Sequence, residues 1–115
     1  MTNYPERYKE LSTWMDKLGV AIPQTMKGFS ELHKASIAPG ALDSKTKELI
    51  ALGIAITVRC EGCITFHVHD ALHAGASKEE VAETVGVAIL MGGGPSLMYG
   101  IEAMQAVSQY QEQGL

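Results

Sequence analysis

The chain contains two cysteines, and they stand three residues apart, just before a histidine. Cys60, Cys63 and His67 lie within the stretch RCEGCITFH. On a helix, positions three and four apart share a face, so the two sulfurs would be neighbours and His67 would lie one turn beyond Cys63. This spacing permits a reversible disulfide and gives the Cys63 thiol an imidazole that can accept its proton. The pattern predicts a thiol nucleophile with a base.

The predicted helix begins at about Cys60, which places both cysteines in its first turn. Unpaired backbone N–H groups and the helix dipole favour thiolate over thiol there. Arg59 adds a positive charge immediately before the pair, and Glu61 partly offsets it. A disulfide across three residues closes too short a loop to restrict the unfolded chain usefully. We therefore expect the cysteine pair to serve chemistry rather than stability.

Glu48 is the candidate partner of His67, because it is the last charged residue before ten uncharged positions. If the chain reverses near Arg59 and Cys60, Glu48 lies about 18 Å and His67 about 10 Å from the turn, at 1.5 Å per residue. Contact would then need a long reach, a bridging water or an irregular corner. A carboxylate at His67 would orient the imidazole and stabilise its protonated form.

Helical periodicity runs through almost the whole chain, and strand signals are nearly absent. The sequence predicts an all-α bundle of about six helices, at about 5–19, 23–38, 44–59, 60–74, 78–92 and from 95 onward. Asp43 is a predicted N-cap, Ser77 and Glu80 form a predicted capping box, and Gly75 suits a left-handed helix end. The GGGP stretch at 92–95 is typical of a tight turn and lacks the residues of a phosphate loop.

The third predicted helix contains LIALGIAITV, which is apolar on every side and predicts a central, buried helix. The single tryptophan, Trp14, is expected to anchor the first helix to the rest. At 115 residues the chain is predicted to form one domain, 1–115, with a core that needs no disulfide.

Charge and hydropathy exclude several classes of partner. The net charge is −4 and the basic residues are scattered, so we expect no nucleic-acid partner. The longest apolar run, 49–58, is about half of what spans a bilayer, so we expect no membrane partner. The first ten residues lack the apolar segment of a secretory signal, which predicts a cytoplasmic protein.

Glu48, eleven intervening residues, Cys60-x-x-Cys63, three residues and His67 together resemble the motif of the AhpD-like alkylhydroperoxidases. These belong to the carboxymuconolactone decarboxylase superfamily of all-helical oligomers. The resemblance covers about 42–100, including SKEEVAETVGVAI. It implies a homo-oligomer, a trimer or hexamer, that requires no organic cofactor or metal.

By position, the resemblance implies that Cys63 attacks a hydroperoxide and Cys60 resolves the sulfenic acid into a disulfide. His67 would be the base and Glu48 its partner. The reductant would be a dithiol, either a small molecule or a lipoyl- or thioredoxin-like protein. Gly62 departs from the best-studied branch, which has a histidine between the cysteines. A weak peroxidase or a general thiol–disulfide reductase therefore stays open.

Other interpretations use the same residues differently. Cys60, Cys63, His67 and Glu48 are also acceptable zinc ligands, as in a non-catalytic zinc-binding or assembly module. The superfamily name implies a decarboxylase or lactone-handling enzyme as a further alternative, although that branch generally lacks the cysteine pair. The cysteines could also be small buried hydrophobes.

Three further histidines have less specific patterns. His69 and His73 have the i, i+4 spacing of a chelating pair, but no acidic residue stands at metalloprotease spacing. We expect them on an exposed or interfacial helix face. His33 is isolated and is expected at the surface or at an interface.

Overall fold

The computed structural model describes residues 1–114 and contains six α-helices with no strand in that range. The helices are α1 (Tyr4–Ala21), α2 (Pro23–Ile37), α3 (Ser44–Thr57), α4 (Glu61–His73), α5 (Lys78–Gly92) and α6 (Gly94–Glu112). The predicted all-α bundle is confirmed. No helix among residues 1–114 is long and apolar enough to cross a membrane.

The core lies among α3, α4, α5 and α6, where α4 packs between α3 and α6 and α5 contacts both. Small and β-branched side chains fill most of it. The larger exceptions are the tyrosines at the two ends of the chain, Tyr4 and Tyr110, both fully buried. The Tyr4 amide donates to Gln109 Oε1 at 2.7 Å, and the Tyr4 hydroxyl donates to Glu102 Oε1 at 3.1 Å. These contacts tie the start of α1 to α6.

Helices α1 and α2 form a hairpin whose apolar faces stay largely uncovered. Trp14 is 65% exposed, so the prediction that it anchors α1 to the rest is wrong. The residue that anchors α1 to the rest of the protein is Tyr4, the first residue of the helix. No residue of α2 is buried, and Phe29 and Leu32 are both exposed. Periodicity correctly predicts an amphipathic helix but does not say that its apolar face is covered within the same chain.

The prediction of a central, buried helix agrees with the position of α3, which contacts α4, α5 and α6, but it is wrong for one of its faces. Leu52, Ala55 and Ile56 are buried, whereas Ile50 and Ile54 on the other face are exposed. That face lines an open apolar groove of about 500 Å³ between α3 and α5. The exposed apolar residues of α3 form one wall of this groove, so the helix is apolar all round without being enclosed.

The predicted helix caps are confirmed. Asp43 Oδ1 accepts a hydrogen bond from the Thr46 amide at 2.7 Å at the start of α3. Ser77 and Glu80 form the reciprocal capping box that begins α5. Gly75 has a φ of 99°, the left-handed conformation that ends α4. Local signals thus fix where the helices around the cysteine pair begin and end.

The contact between α5 and α6 gives a stability prediction at Gly100. A Cβ there would lie 2.5 Å from Val85 Cγ1, on a stiff β-branched side chain. We expect Gly100→Ala to lower the free energy of unfolding by about 1–3 kcal/mol through overpacking. Gly86 on α5, where a Cβ would meet nothing within 4 Å, is the matched control. Gly86→Ala should be neutral or stabilising by up to about 1 kcal/mol. Chemical denaturation of both variants measures this, and equal stability would contradict the close approach.

Candidate active site

The corner between α3 and α4 fixes the position of Cys60. Arg59 has a φ of 61°, the left-handed conformation usually taken by glycine at a helix end. Its amide donates to the Ile56 carbonyl at 3.2 Å, and the Cys60 amide donates to the Ala55 carbonyl at 3.0 Å. These two bonds form a Schellman motif, which closes α3 and has Cys60 as its last residue.

Cys60 is also the N-cap of α4, so the residue that completes the Schellman motif of α3 also begins the next helix. It forms a disulfide with Cys63, and the two Cα atoms are 5.2 Å apart. Its Sγ accepts a hydrogen bond from the Cys63 amide at 3.2 Å. The two sulfurs that the sequence placed on one helix face are therefore bonded to each other. An amide aimed at Cys60 Sγ also favours negative charge on that sulfur when the disulfide opens.

Glu48 and His67 are in direct contact. His67 Nδ1 donates to Glu48 Oε2 at 2.9 Å, and the side chains of His67 and Glu48 are 21% and 3% exposed. The sequence left three routes for this contact, and the structure shows direct pairing across an irregular corner. Because an ionised carboxylate only accepts, this bond places a proton on Nδ1, so Nε2 is the nitrogen that can accept whenever the ring is neutral.

The four predicted site residues thus come together from α3 and from the first two turns of α4. Cys63 packs partly against the hydrophobic core, and His67 follows it by one helical turn on the same helix. The arrangement provides a dithiol–disulfide pair, a histidine with a free acceptor nitrogen, and a buried carboxylate that holds the histidine in place.

Two residues that the sequence did not assign to the site lie beside it. The His33 ring, on the exposed surface of α2, has its centroid 6.5 Å from that of His67. Asp70 lies one turn after His67 on α4. One oxygen atom of its carboxylate, one of the Glu48 carboxylate and one ring nitrogen of His33 lie within 4.8 Å of one another. The i+3 spacing from His67 to Asp70 was a usable signal. No spacing in the sequence could connect His33 to residues on α3 and α4.

Helix α1 covers the other side of α4. His69 stacks on Tyr8 with ring centroids 4.1 Å apart, and its Nδ1 donates to Asp70 Oδ1 at 3.0 Å. Burial, and secondarily the Asp70 charge, raise the pKa of Tyr8, so its hydroxyl stays protonated at neutral pH. His73 is exposed as expected, whereas His69 is largely covered by α1.

Gly62 also faces α1. A Cβ at this position would lie 3.6 Å from Leu11 Cδ1, an ordinary van der Waals contact. Nearby, Arg7 Nε donates to Glu61 Oε1 at 3.2 Å and ties α1 to the first turn of α4. The start of α4 is therefore held by α1 on one side and by the α3 corner on the other.

Fold and site together define an all-helical protein with a cysteine pair at a helix start and a buried carboxylate–histidine pair beside it. Residues 23–106 match the model of the carboxymuconolactone decarboxylase family, and the chain belongs to that family. The match includes Glu48, Cys60, Cys63 and His67. The resemblance predicted from the motif is confirmed at the level of the family.

Relatives of known sequence or structure cover nearly the whole chain. An uncharacterized protein of Cupriavidus necator is 37% identical over 103 residues, covering 90% of this chain and 91% of its own. A carboxymuconolactone decarboxylase family protein from Legionella pneumophila superposes with a TM-score of 0.90 at 44% identity, covering 93% of this chain and 96% of its own. A family member from Thermotoga maritima, for which a part in antioxidative response has been suggested, has a TM-score of 0.84 at 29% identity and covers 93% and 92%.

Proposed function

We propose that this protein is a thiol-dependent oxidoreductase that reduces hydroperoxides through Cys60 and Cys63. The observation that carries the proposal is the Cys60–Cys63 disulfide at the start of α4, one turn before a histidine that a buried carboxylate holds by Nδ1. A thiol nucleophile, a base and an orienting group are the parts that activate a cysteine.

The proposed cycle begins with the reduced dithiol. His67 Nε2 takes the Cys63 proton, and the Cys63 thiolate attacks the terminal oxygen of the hydroperoxide. The O–O bond breaks, and the oxygen bonded to the alkyl group leaves as an alcohol after protonation by His67. Cys63 keeps the terminal OH group and becomes a sulfenic acid. Cys60 then loses its proton, its thiolate attacks the Cys63 sulfur, and the S–O bond breaks; the departing hydroxide takes up that proton and leaves as water. Two thiols are oxidised to one disulfide while the hydroperoxide is reduced by two electrons.

A dithiol reductant of small-molecule, lipoyl or thioredoxin-like type would complete the cycle. Attack on Cys63 Sγ would release Cys60 as the leaving thiolate, and the Cys63 amide already donates to that sulfur. A sulfur that is stabilised as a thiolate leaves faster in thiol–disulfide exchange. The second thiol of the reductant then displaces Cys63 and carries the disulfide away. The helix cap at Cys60 thus supports its role as the resolving and leaving sulfur.

Further support comes from the suggested antioxidative role of the Thermotoga relative. We also propose that the chain works as one domain, 1–115, in the cytoplasm, where a CxxC pair can be reduced in each cycle. The uncovered apolar faces of α1, α2 and α3 support self-association, and a trimer or hexamer is the form that we propose.

The test is to reduce the protein, add a slight excess of a hydroperoxide, and follow free thiols and protein mass. We expect both thiols to disappear together, with the loss of two hydrogen atoms per chain and no intermolecular adduct. Hydrogen peroxide and an alkyl hydroperoxide should be compared, with free cysteine as the reference. Thiols that react no faster than free cysteine would refute the proposed peroxidase.

A further inference from the structure

One side-chain cluster beside the active site combines Glu48 with two residues that take no part in the proposed cycle. His33 on α2, Glu48 on α3 and Asp70 on α4 each offer a ligand atom, and these atoms lie within 4.8 Å of one another. The three residues come from three different helices. Their convergence is therefore a property of the tertiary fold rather than of a local charge run.

Each carboxylate of this cluster accepts one hydrogen bond from a histidine of α4: Glu48 Oε2 from His67 and Asp70 Oδ1 from His69. Glu48 holds His67 through Oε2 and Asp70 is bonded through Oδ1, so the second oxygen of each carboxylate is the one that these bonds do not use. The His33 side chain is exposed, and its ring centroid lies 6.5 Å from that of His67. Glu48 is only 2% exposed. A buried carboxylate facing a second carboxylate is unfavourable unless positive charge lies between them.

We propose that His33, Glu48 and Asp70 bind one divalent transition-metal ion, such as Zn²⁺. One imidazole and two carboxylates are an acceptable donor set for such an ion, with bonds of about 2.0–2.2 Å. Binding would neutralise the facing carboxylates. It would draw in His33, and α2 can follow because none of its residues is buried.

His67 has a defined part in this site without being a ligand. Ligating carboxylates are commonly held by a hydrogen bond on the oxygen that does not face the metal. The bond from His67 Nδ1 to Glu48 Oε2 meets that description, because Oε1 is then the atom available to the ion. Neither cysteine is a ligand. The site therefore differs from a zinc site built on the CxxC pair, and it does not depend on the proposed peroxidase.

The experiment uses the full-length, tag-free protein in its disulfide form, so that no thiolate competes for the ion. Zn²⁺ is titrated calorimetrically, and Co²⁺ serves as a spectroscopic probe of a nitrogen- and oxygen-ligated ion. We expect one ion per chain. His33→Ala and Asp70→Asn should each weaken binding at least about tenfold, since even residues that only support a metal ligand contribute that much.

His73→Ala is the matched control, because His73 and His69 form the other histidine pair that could chelate an ion. That variant should bind Zn²⁺ as the unaltered protein does. Two different results would overturn the site: no saturable binding, or binding that survives both His33→Ala and Asp70→Asn. Loss of binding in His73→Ala would assign the ion to the other pair and equally refute the proposal. His33 and Asp70 lie outside the hydrophobic core, so both variants should fold, which circular dichroism verifies.

Discussion

Cys60→Ser, treated with one equivalent of hydroperoxide, is expected to accumulate a sulfenic acid on Cys63 and to form no disulfide. Cys63 is the sulfur that lies one helical turn before His67, whose Nε2 is free to take a proton because Nδ1 is held by Glu48. Without Cys60, the oxidised sulfur has no neighbouring thiol with which to condense. Mass spectrometry should find the gain of one oxygen atom, and a sulfenic-acid trap should label Cys63.

The converse variant makes the assignment decisive. In Cys63→Ser, the remaining thiol is Cys60, which caps α4 but is seven residues from His67. We expect its first reaction with peroxide to be slower by about a hundredfold or more, which is the usual contribution of a general base. Cys60→Ser should keep a first reaction close to that of the unaltered protein. Both variants should lose turnover with a dithiol.

The N-cap position of Cys60 makes the opposite outcome physically reasonable, so the pair of variants is a real test. The Cys63 amide donates to Cys60 Sγ and would stabilise a Cys60 thiolate as well. If the sulfenic acid forms quickly on Cys60 in Cys63→Ser, the helix start determines the nucleophile and the roles proposed for the two cysteines are reversed.

The sequence predicted the local structure of this site well because local rules govern it. The N-cap of α3, the capping box of α5 and the left-handed Gly75 each follow from side chains within a few residues. The disulfide partners follow from their i+3 spacing. The left-handed turn at Arg59 was not predicted, since arginine gives no signal for that conformation.

The contact between Glu48 and His67 shows where a distance estimated by counting residues along a helix is wrong. Counting residues from a turn at Arg59 and Cys60 placed the two side chains more than a helical turn apart. The helices in fact end at Thr57 and begin at Glu61, and an irregular corner replaces the assumed sharp reversal. Residue counting assumes straight, antiparallel axes, and it therefore cannot predict a contact of this kind.

The sequence also did not predict which residues lie close together when they are far apart along the chain. Nothing in the local pattern distinguishes an apolar stripe that is covered by the same chain from one that is not, so Trp14 was placed wrongly. His33 reaches the site only because α2 folds back across α3. Its position depends on the tertiary structure, and a single sequence carries no record of it.

Glu48→Gln is expected to slow thiol oxidation about a hundredfold while leaving the fold as stable as before. The amide keeps the shape and can still accept from His67 Nδ1, but it no longer stabilises the imidazolium that forms when Cys63 loses its proton. Removing a buried charge also relieves its desolvation cost, so the free energy of unfolding should change by no more than about 1 kcal/mol. Stopped-flow measurement of thiol loss and chemical denaturation give the two quantities. Glu83→Gln, an exposed carboxylate on α5, is the matched control and should change neither.

A double variant separates a positioning role from a merely structural one. If Glu48 acts through His67, then His67→Asn should already remove most of the rate, and adding Glu48→Gln should change it little further. Two independent effects would instead multiply. Multiplicative losses, or a large loss of stability in Glu48→Gln alone, would mean that Glu48 supports the packing between α3 and α4 rather than the base. A non-additive rate loss at unchanged stability would make the buried carboxylate a positioning residue for the histidine next to the cysteine pair.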